Sequence, residues 1–278
     1  MKRRSLFLFS AMVFGFAFLY IPIVSLIVYS FNKSKLVTVW AGFSTQWYGA
    51  LLENDQILQA AWISLRIATL NATVAVALGT IAGFVLARFR RFRGRTLFTG
   101  MVTAPLVMPE VITGLSLLLL FVAMEAAIGW PSGRGFTTIT IAHITFSMAY
   151  VAVIVQSRLS DMDESIEEAA LDLGARPLKI FFLITLPIIA PALVAGWLLA
   201  FTLSLDDLVI ASFVSGPGSS TLPMVIFSKV RLGVSPEINA LATILVGLVA
   251  IGTVIAGIVM ARKQKTRERD MQLAAADK

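Results

Sequence analysis

Six long apolar stretches, at about 6–31, 62–87, 97–123, 137–156, 188–213 and 240–261, divide the sequence. A helix needs roughly 20 predominantly apolar residues to cross ~30 Å of hydrocarbon, and each stretch meets that length. The 278 residues are 58% hydrophobic and 14% charged, more apolar surface than a soluble domain of this size can bury. The expectation is an all-α integral membrane protein with six transmembrane helices.

The basic residues set the expected orientation. The net charge is +7, yet Lys and Arg flank apolar runs instead of gathering on one face, which argues for a role in membrane topology and against nucleic acid. With the N-terminus inside, seventeen basic residues fall on the inner side. Six fall outside: Lys33, Lys35, Arg66, Arg134, Lys229 and Arg231. Basic loops stay cytoplasmic, so both termini are expected there. The first stretch follows Lys2, Arg3 and Arg4 as a secretory leader would, but its apolar core is too long and no small-x-small site precedes the polar 32–35; it reads as an uncleaved anchor. "RFRRFRGR" at 88–95 reads as a stop-transfer anchor against anionic lipid. The polar tail after Met260 reads as frayed or as a helical extension of the last span. Zero cysteines exclude disulfides, thiolate metal sites and a cysteine nucleophile. No internal repeat stands out, which weighs against an inverted-repeat secondary transporter.

One inner segment is built unlike a loop. "EEAALDLGARPLKIFFLITLP", residues 167–187, follows Ser160 or Asp161 as a helix cap, with Asp163 and Glu164 at the positive helix end. Met162, Ile166, Ala169 or Ala170, and Leu173 recur at near-helical spacing. Gly174 stands where a left-handed C-terminal residue is wanted, and Pro177 prevents continuation. A second helix should run through 179–186 into the fifth span, with Pro187 and Pro191 in its early turns. A short helix punctuated this way is suited to docking in a groove of another protein.

The pattern Glu168-Ala169-Ala170, Gly174, Ile184-Thr185-Leu186-Pro187 resembles the EAA loop of binding-protein-dependent ABC importer permeases, without departure. The segments "SKLVTVWAGFSTQWYGALL", "TAPLVMPEVITGLSLLLLFV" and "FTLSLDDLVIASFVSGPGSSTLPMVIFSKVRLGVSPEINALATI" are similar to permease subunits of bacterial putrescine importers, a likeness running from about Tyr20 to Ala261. The resemblance implies a type I ABC importer permease fold in the bacterial inner membrane. It implies an anchor helix and first periplasmic loop over 1–61, a five-helix permease core over 62–261 with a coupling helix at about 160–174, and a basic cytoplasmic tail over 262–278. Glu168, Ala169, Ala170, Gly174 and Pro187 would couple to the ATPase. The implied partners are a second permease in a heterodimer, an ABC ATPase dimer and a periplasmic polyamine-binding protein. ATP and Mg would be bound by the ATPase, since this sequence has no G-x-x-x-x-G-K-[ST] loop. Putrescine would be the substrate, with spermidine or another small solute as the alternative. A secondary transporter or channel would use the same spans but has no need of a docking helix.

Three acids fall within apolar stretches: Glu110 in the third, Asp206 and Asp207 in the fifth. At 1.5 Å per residue Glu110 lies roughly 20 Å and Asp206 roughly 27 Å from the inner ends, so all three belong to the outer half. A carboxylate at a span centre costs on the order of 2.5–3.5 kcal/mol, so each needs a partner or a water-filled cavity. A diamine on a substrate path could be that partner, with Trp197, Phe201 and Tyr150 available for cation–π contact. The alternative is a structural pair with Arg66, and adjacent acids point about 100° apart on a helix. Pro105 and Pro109 should kink the third span. His143, the single histidine, reads as a buried hydrogen-bonded residue and not a metal ligand. Asn71 reads as an interhelical hydrogen-bonding residue. The small residues of "NATVAVALGTIAGFVLA" fit close helix packing, within the chain or at a permease seam. With one histidine and no evident Ser–His or metal cluster, no catalytic residue is assigned.

Overall fold

The structure, a computed structural model, describes residues 6–36, 39–89, 91–233 and 235–276, with no side chain described at 6, 256, 257 or 259–276. Lys2, Arg3, Arg4 and Arg90 therefore lie outside the described residues, as do the side chains of the basic tail. Twelve helices are seen among the described residues: α1 (Leu6–Ser30), α2 (Gln46–Leu52), α3 (Asp55–Arg88), α4 (Arg95–Val107), α5 (Glu110–Ile128), α6 (Phe136–Ser160), α7 (Ser165–Asp172), α8 (Pro177–Ile180), α9 (Leu186–Leu205), α10 (Val209–Val214), α11 (Leu222–Leu232) and α12 (Pro236–Ala276). A five-residue π turn, Phe181–Thr185, joins α8 to α9. Six helical segments are long and apolar enough to cross a membrane.

Two of the expected spans are broken. The third stretch is two helices, because Met108 before Pro109 is extended (ψ 134°), as a residue preceding proline prefers. Pro109 has no N–H to lose, and its carbonyl accepts from Ile112 and Thr113 as α5 begins. Pro105 stays inside α4. The fifth stretch ends at Leu205, so Asp206 and Asp207 stand in the gap before the short α10. The last span continues helical to Ala276, the extension alternative for the tail.

The chain divides into two compact units, residues up to Asp55 with those from Ser228 onward, and Gln56–Phe227. In the first, α1 and α2 both pack on α12. The α1–α2 connection is organised by buried Asn32, whose side chain donates to Val39 O (2.7 Å) and accepts from Ala41 N (2.9 Å). Its carbonyl accepts from the Trp47 indole at 2.6 Å, while Phe31 stacks on Phe43.

The second unit is built around α6. Of the window that crosses, 61% is buried, against 0% for α1, so α6 is wrapped by protein where α1 faces outward. Enclosure explains how α6 tolerates Thr138, Thr140, His143 and Ser147 along its length. Ile139, Ala142 and Phe146 meet Ile67, Phe121 and Ile210 at one level; Val151, Val155 and Leu159 meet Ala72, Ala75 and Ile189 at another. Asn71 donates to Ser147 Oγ (3.2 Å) and Ala200 O (2.8 Å), tying α3 to α6 and α9 as the sequence suggested.

The small residues of α3 serve this packing within the chain. A Cβ added at Gly83 would lie 2.6 Å from Ala152 O, and one at Gly79 would lie 2.7 Å from Val151 Cβ. Gly83→Val should therefore destabilise the second unit by about 1–3 kcal/mol or more. Gly100→Val, in a helical position with nothing within 4 Å, should not. Thermal unfolding of the two variants in detergent checks this, and equal midpoints would contradict the close α3–α6 approach.

Candidate functional site

The segment at 160–187 folds as a short handle. Its helix begins later than expected: Ser160 remains in α6 with its hydroxyl on Gln156 O, and Asp163 Oδ1 accepts from Ser165 N at 3.0 Å. Asp163, not Ser160 or Asp161, thus supplies the capping oxygen. The Ser165 N–H, then its hydroxyl, hold the Asp163 carboxyl below the ordinary carboxylate range. At the other end Gly174 has φ +82°, with Gly174 N bonded to Leu171 O (2.8 Å) and Ala175 N to Ala170 O (3.0 Å). These crossed bonds are a Schellman closure, which needs a left-handed residue at Gly174. Pro177 then opens α8.

The handle divides its side chains. Glu168, Ala169 and Leu173 are exposed, Leu173 at 89%. Glu167, the neighbouring acid, turns inward, with Oε2 2.8 Å from Arg88 Nε and Oε1 accepting from the Thr185 hydroxyl at 2.5 Å. Arg88 Nη1 also donates to Leu159 O at 3.0 Å. In the sequence Arg88 is one arginine of the basic run 88–95, and Glu167 is one of several acids around α7, so neither stands out by pattern. The available signal was Arg88's place as the last residue of an amphipathic α3. Pro187 lies just past the π turn, whose wider ring accommodates the residues ahead of a proline.

All three sequence-identified acids sit at the helix breaks. Glu110 is the first residue of α5, exposed, at the favourable positive end of a helix. Asp206 closes α9 and is exposed. Asp207 is half-buried, with only 8% of its side chain exposed. The carboxylate accepts from Ile210 N (3.2 Å) and Ala211 N (2.7 Å), starting α10, and its Oδ2 lies 3.0 Å from His143 Nε2. A carboxylate can only accept, so Nε2 donates; Nδ1 meets Ser204 Oγ at 2.7 Å. The alternative Arg66 partnership is not formed among the described residues: the Arg66 guanidinium lies over the Phe136 ring, 5.1 Å from its centroid. His143 is the residue that meets Asp207, and it is buried and hydrogen-bonded as read from sequence. Ser204, His143 and Asp207 resemble a hydrolase triad in composition, but Ser204 is itself buried within α9 and its oxygen is spent on the ring. Beyond the breaks α5 and α10 touch, Gly114 lying against Ile210 and Phe213. Trp197 and Phe201 stack at 5.2 Å on α9, and the indole donates to Thr73 Oγ1.

Six apolar spans, with acids at their breaks and a glycine-closed handle joined to the bundle, describe a multi-pass membrane protein. The chain belongs to the binding-protein-dependent transport system inner membrane component family, matched over residues 75–267. It is 65% identical over 263 residues to the putrescine transport system permease protein PotI of Escherichia coli (strain K12), covering 95% of this chain and 94% of that protein. It is 43% identical over 257 residues to the spermidine/putrescine transport system permease protein PotC of the same strain, covering 92% and 95%. In fold it is similar to a bacterial ABC transporter involved in the import of the acidic polysaccharide alginate, with TM-score 0.70, 17% identity, and 93% and 98% of the two chains covered. The relatives named here are permease subunits, so this chain is a transport protein and not itself an enzyme.

The bonds of Asp207 predict the cost of removing it. Asp207→Ala loses a helix cap and leaves His143 Nε2 unpaired, together about 2–4 kcal/mol. Arg66→Gln should change stability by less than about 0.5 kcal/mol. Thermal unfolding decides, and rescue of Asp207→Ala by Arg66→Gln would reinstate the arginine pair.

Proposed function

We propose that this chain is one permease of an ATP-driven importer that carries putrescine from a periplasmic binding protein to the cytoplasm by alternating access. The observation that carries this reading is the 65% identity, over nearly the whole chain, to a permease named for putrescine. The charge asymmetry of the inter-span segments supports cytoplasmic termini in a bacterial inner membrane, with α7 on the cytoplasmic side. On that side the exposed Glu168, Ala169 and the neighbouring Ala170 form a docking face for an ABC ATPase dimer, with Gly174 setting its limit and Pro187 the start of the span behind it. ATP and Mg belong to that ATPase. A second permease completes the pore.

The substrate path runs past the breaks. Non-helical backbone at membrane depth is tolerated where it is enclosed by protein or lines a water-filled cavity. Discontinuous helices at such points often hold substrate. Asp206 and Glu110 are the exposed acids suited to attract a diammonium ion. Asp207, engaged by three donors, acts by keeping the break open. Spermidine is the second reading, favoured by the 43% identity to a permease named for both polyamines.

Two experiments test this reading. In the first, the importer is reconstituted with its ATPase and binding protein, and labelled putrescine uptake is measured against competing spermidine. Putrescine should be preferred, and Gly174→Val, strained at φ +82°, should abolish uptake and substrate-stimulated ATP hydrolysis while the chain still inserts. Full stimulation in that variant would refute the docking role of α7. The second concerns sidedness. Ser219 is buried, so the exposed Ser220 is the better outer probe. Ser220→Cys should react with an impermeant thiol reagent outside sealed cells and Ser165→Cys should not; labelling at 165 would invert the topology.

A further inference from the structure

Three segments meet at one carboxylate, and a fourth joins them through Arg88. Glu167 of α7 is 2.8 Å from Arg88, the last residue of α3, and accepts from Thr185 in the π turn at 2.5 Å. Arg88 also reaches Leu159 O near the end of α6 (3.0 Å) and lies 3.7 Å from Glu164. The Arg88 and Glu167 side chains are 12% and 16% exposed, so water competes little for either. Thr185 is buried. Thr99, Thr103, Thr140, Thr145 and Thr202 each return the hydroxyl to the carbonyl four residues back. Thr185 instead crosses to another element, from a turn whose backbone bonds run to the fifth residue. None of the residues of α7 is fully buried, so apolar packing holds it weakly. Its outer acid, Glu168, is exposed.

We infer that Arg88, Glu167 and Thr185 are positioning residues that make α7 move as one body with the ends of α3 and α9. Motion imposed on the exposed face of α7 then reaches the spans instead of being lost by pivoting at 173–176. This rests on the reading of α7 as the seat of the ATPase. The three residues touch neither ATP nor substrate; their role is to transmit.

The test counts ATP hydrolysed per putrescine taken up in proteoliposomes holding the full importer. Thr185→Val keeps the side-chain shape and removes the donor to Glu167. The ATPase should stay bound and hydrolysis continue, while the ATP-to-putrescine ratio rises roughly threefold, the scale on which one coupling contact acts. Thr185→Ser should restore the parent ratio. Glu167→Gln, which drops the charge facing Arg88 at constant size, should raise the ratio at least as far. An unchanged ratio in both, or uptake and hydrolysis falling in proportion, overturns the inference, as does loss of the ATPase from the Thr185→Val complex. The underlying reading fails separately, through full coupling in Ala169→Arg, which leaves all three residues intact.

Discussion

Backbone polar groups inside a bilayer have no water to turn to, and this constraint decides where the spans can break. The two breaks meet it differently. At Met108–Pro109 the proline removes one donor outright, and its carbonyl takes the N–H groups of Ile112 and Thr113 in the first turn of α5. At Asp206–Leu208 no proline is present, and the Asp207 carboxylate receives the N–H groups of Ile210 and Ala211. A carboxylate used as a cap must be made tolerable at depth, which His143 does from the enclosed helix α6. The neighbouring Asp206 carries no such duty and is exposed. Two adjacent acids of identical chemistry thus divide between structure and surface.

The same constraint favours a helix at the centre that is more polar than its neighbours. Buried Thr138 reaches Val214 O at 2.7 Å, and Ser147 meets Asn71, each tying α6 to another helix. Such bonds need close approach, and Gly79 and Gly83 provide it on α3. Polar residues and glycines that would weaken an isolated helix therefore serve together here, because hydrogen bonding and backbone contact, not apolar burial, distinguish protein from lipid as a neighbour.

Much of the architecture was legible as hydropathy. Span number followed from runs of apolar residues, and the Gly174 closure followed from a glycine placed before Pro177. Asn71 and His143 were legible because a polar side chain in a span requires a partner, though the identity of the partner was not. The pairing of His143 with Asp207 joins residues 64 apart, and no local periodicity encodes it. The alternative Arg66 pair matched charge with charge, but the group within reach of Asp207 is the buried His143 of α6. Breaks were underestimated since apolar composition continues through 97–123 and 188–213; composition records burial and says little about backbone continuity. Arg88 was hidden in a run of arginines whose other members share its chemistry but not its position.

The π turn at Phe181–Thr185 has a consequence for the phase of the helix that follows. A wide turn holds one residue more than an α turn, so everything beyond it is rotated by about 100° relative to an uninterrupted helix. Ile189, Gly196 and Ala200 are among the buried residues of α9, and the turn sets the angle of their face relative to α8. Residues 177–185 and 186–205 therefore keep separate angular registers on one continuous rod. Sequence change on one side of the turn can re-aim the handle without re-aiming the wall of the bundle, which lets a common scaffold pair one kind of handle with many kinds of wall.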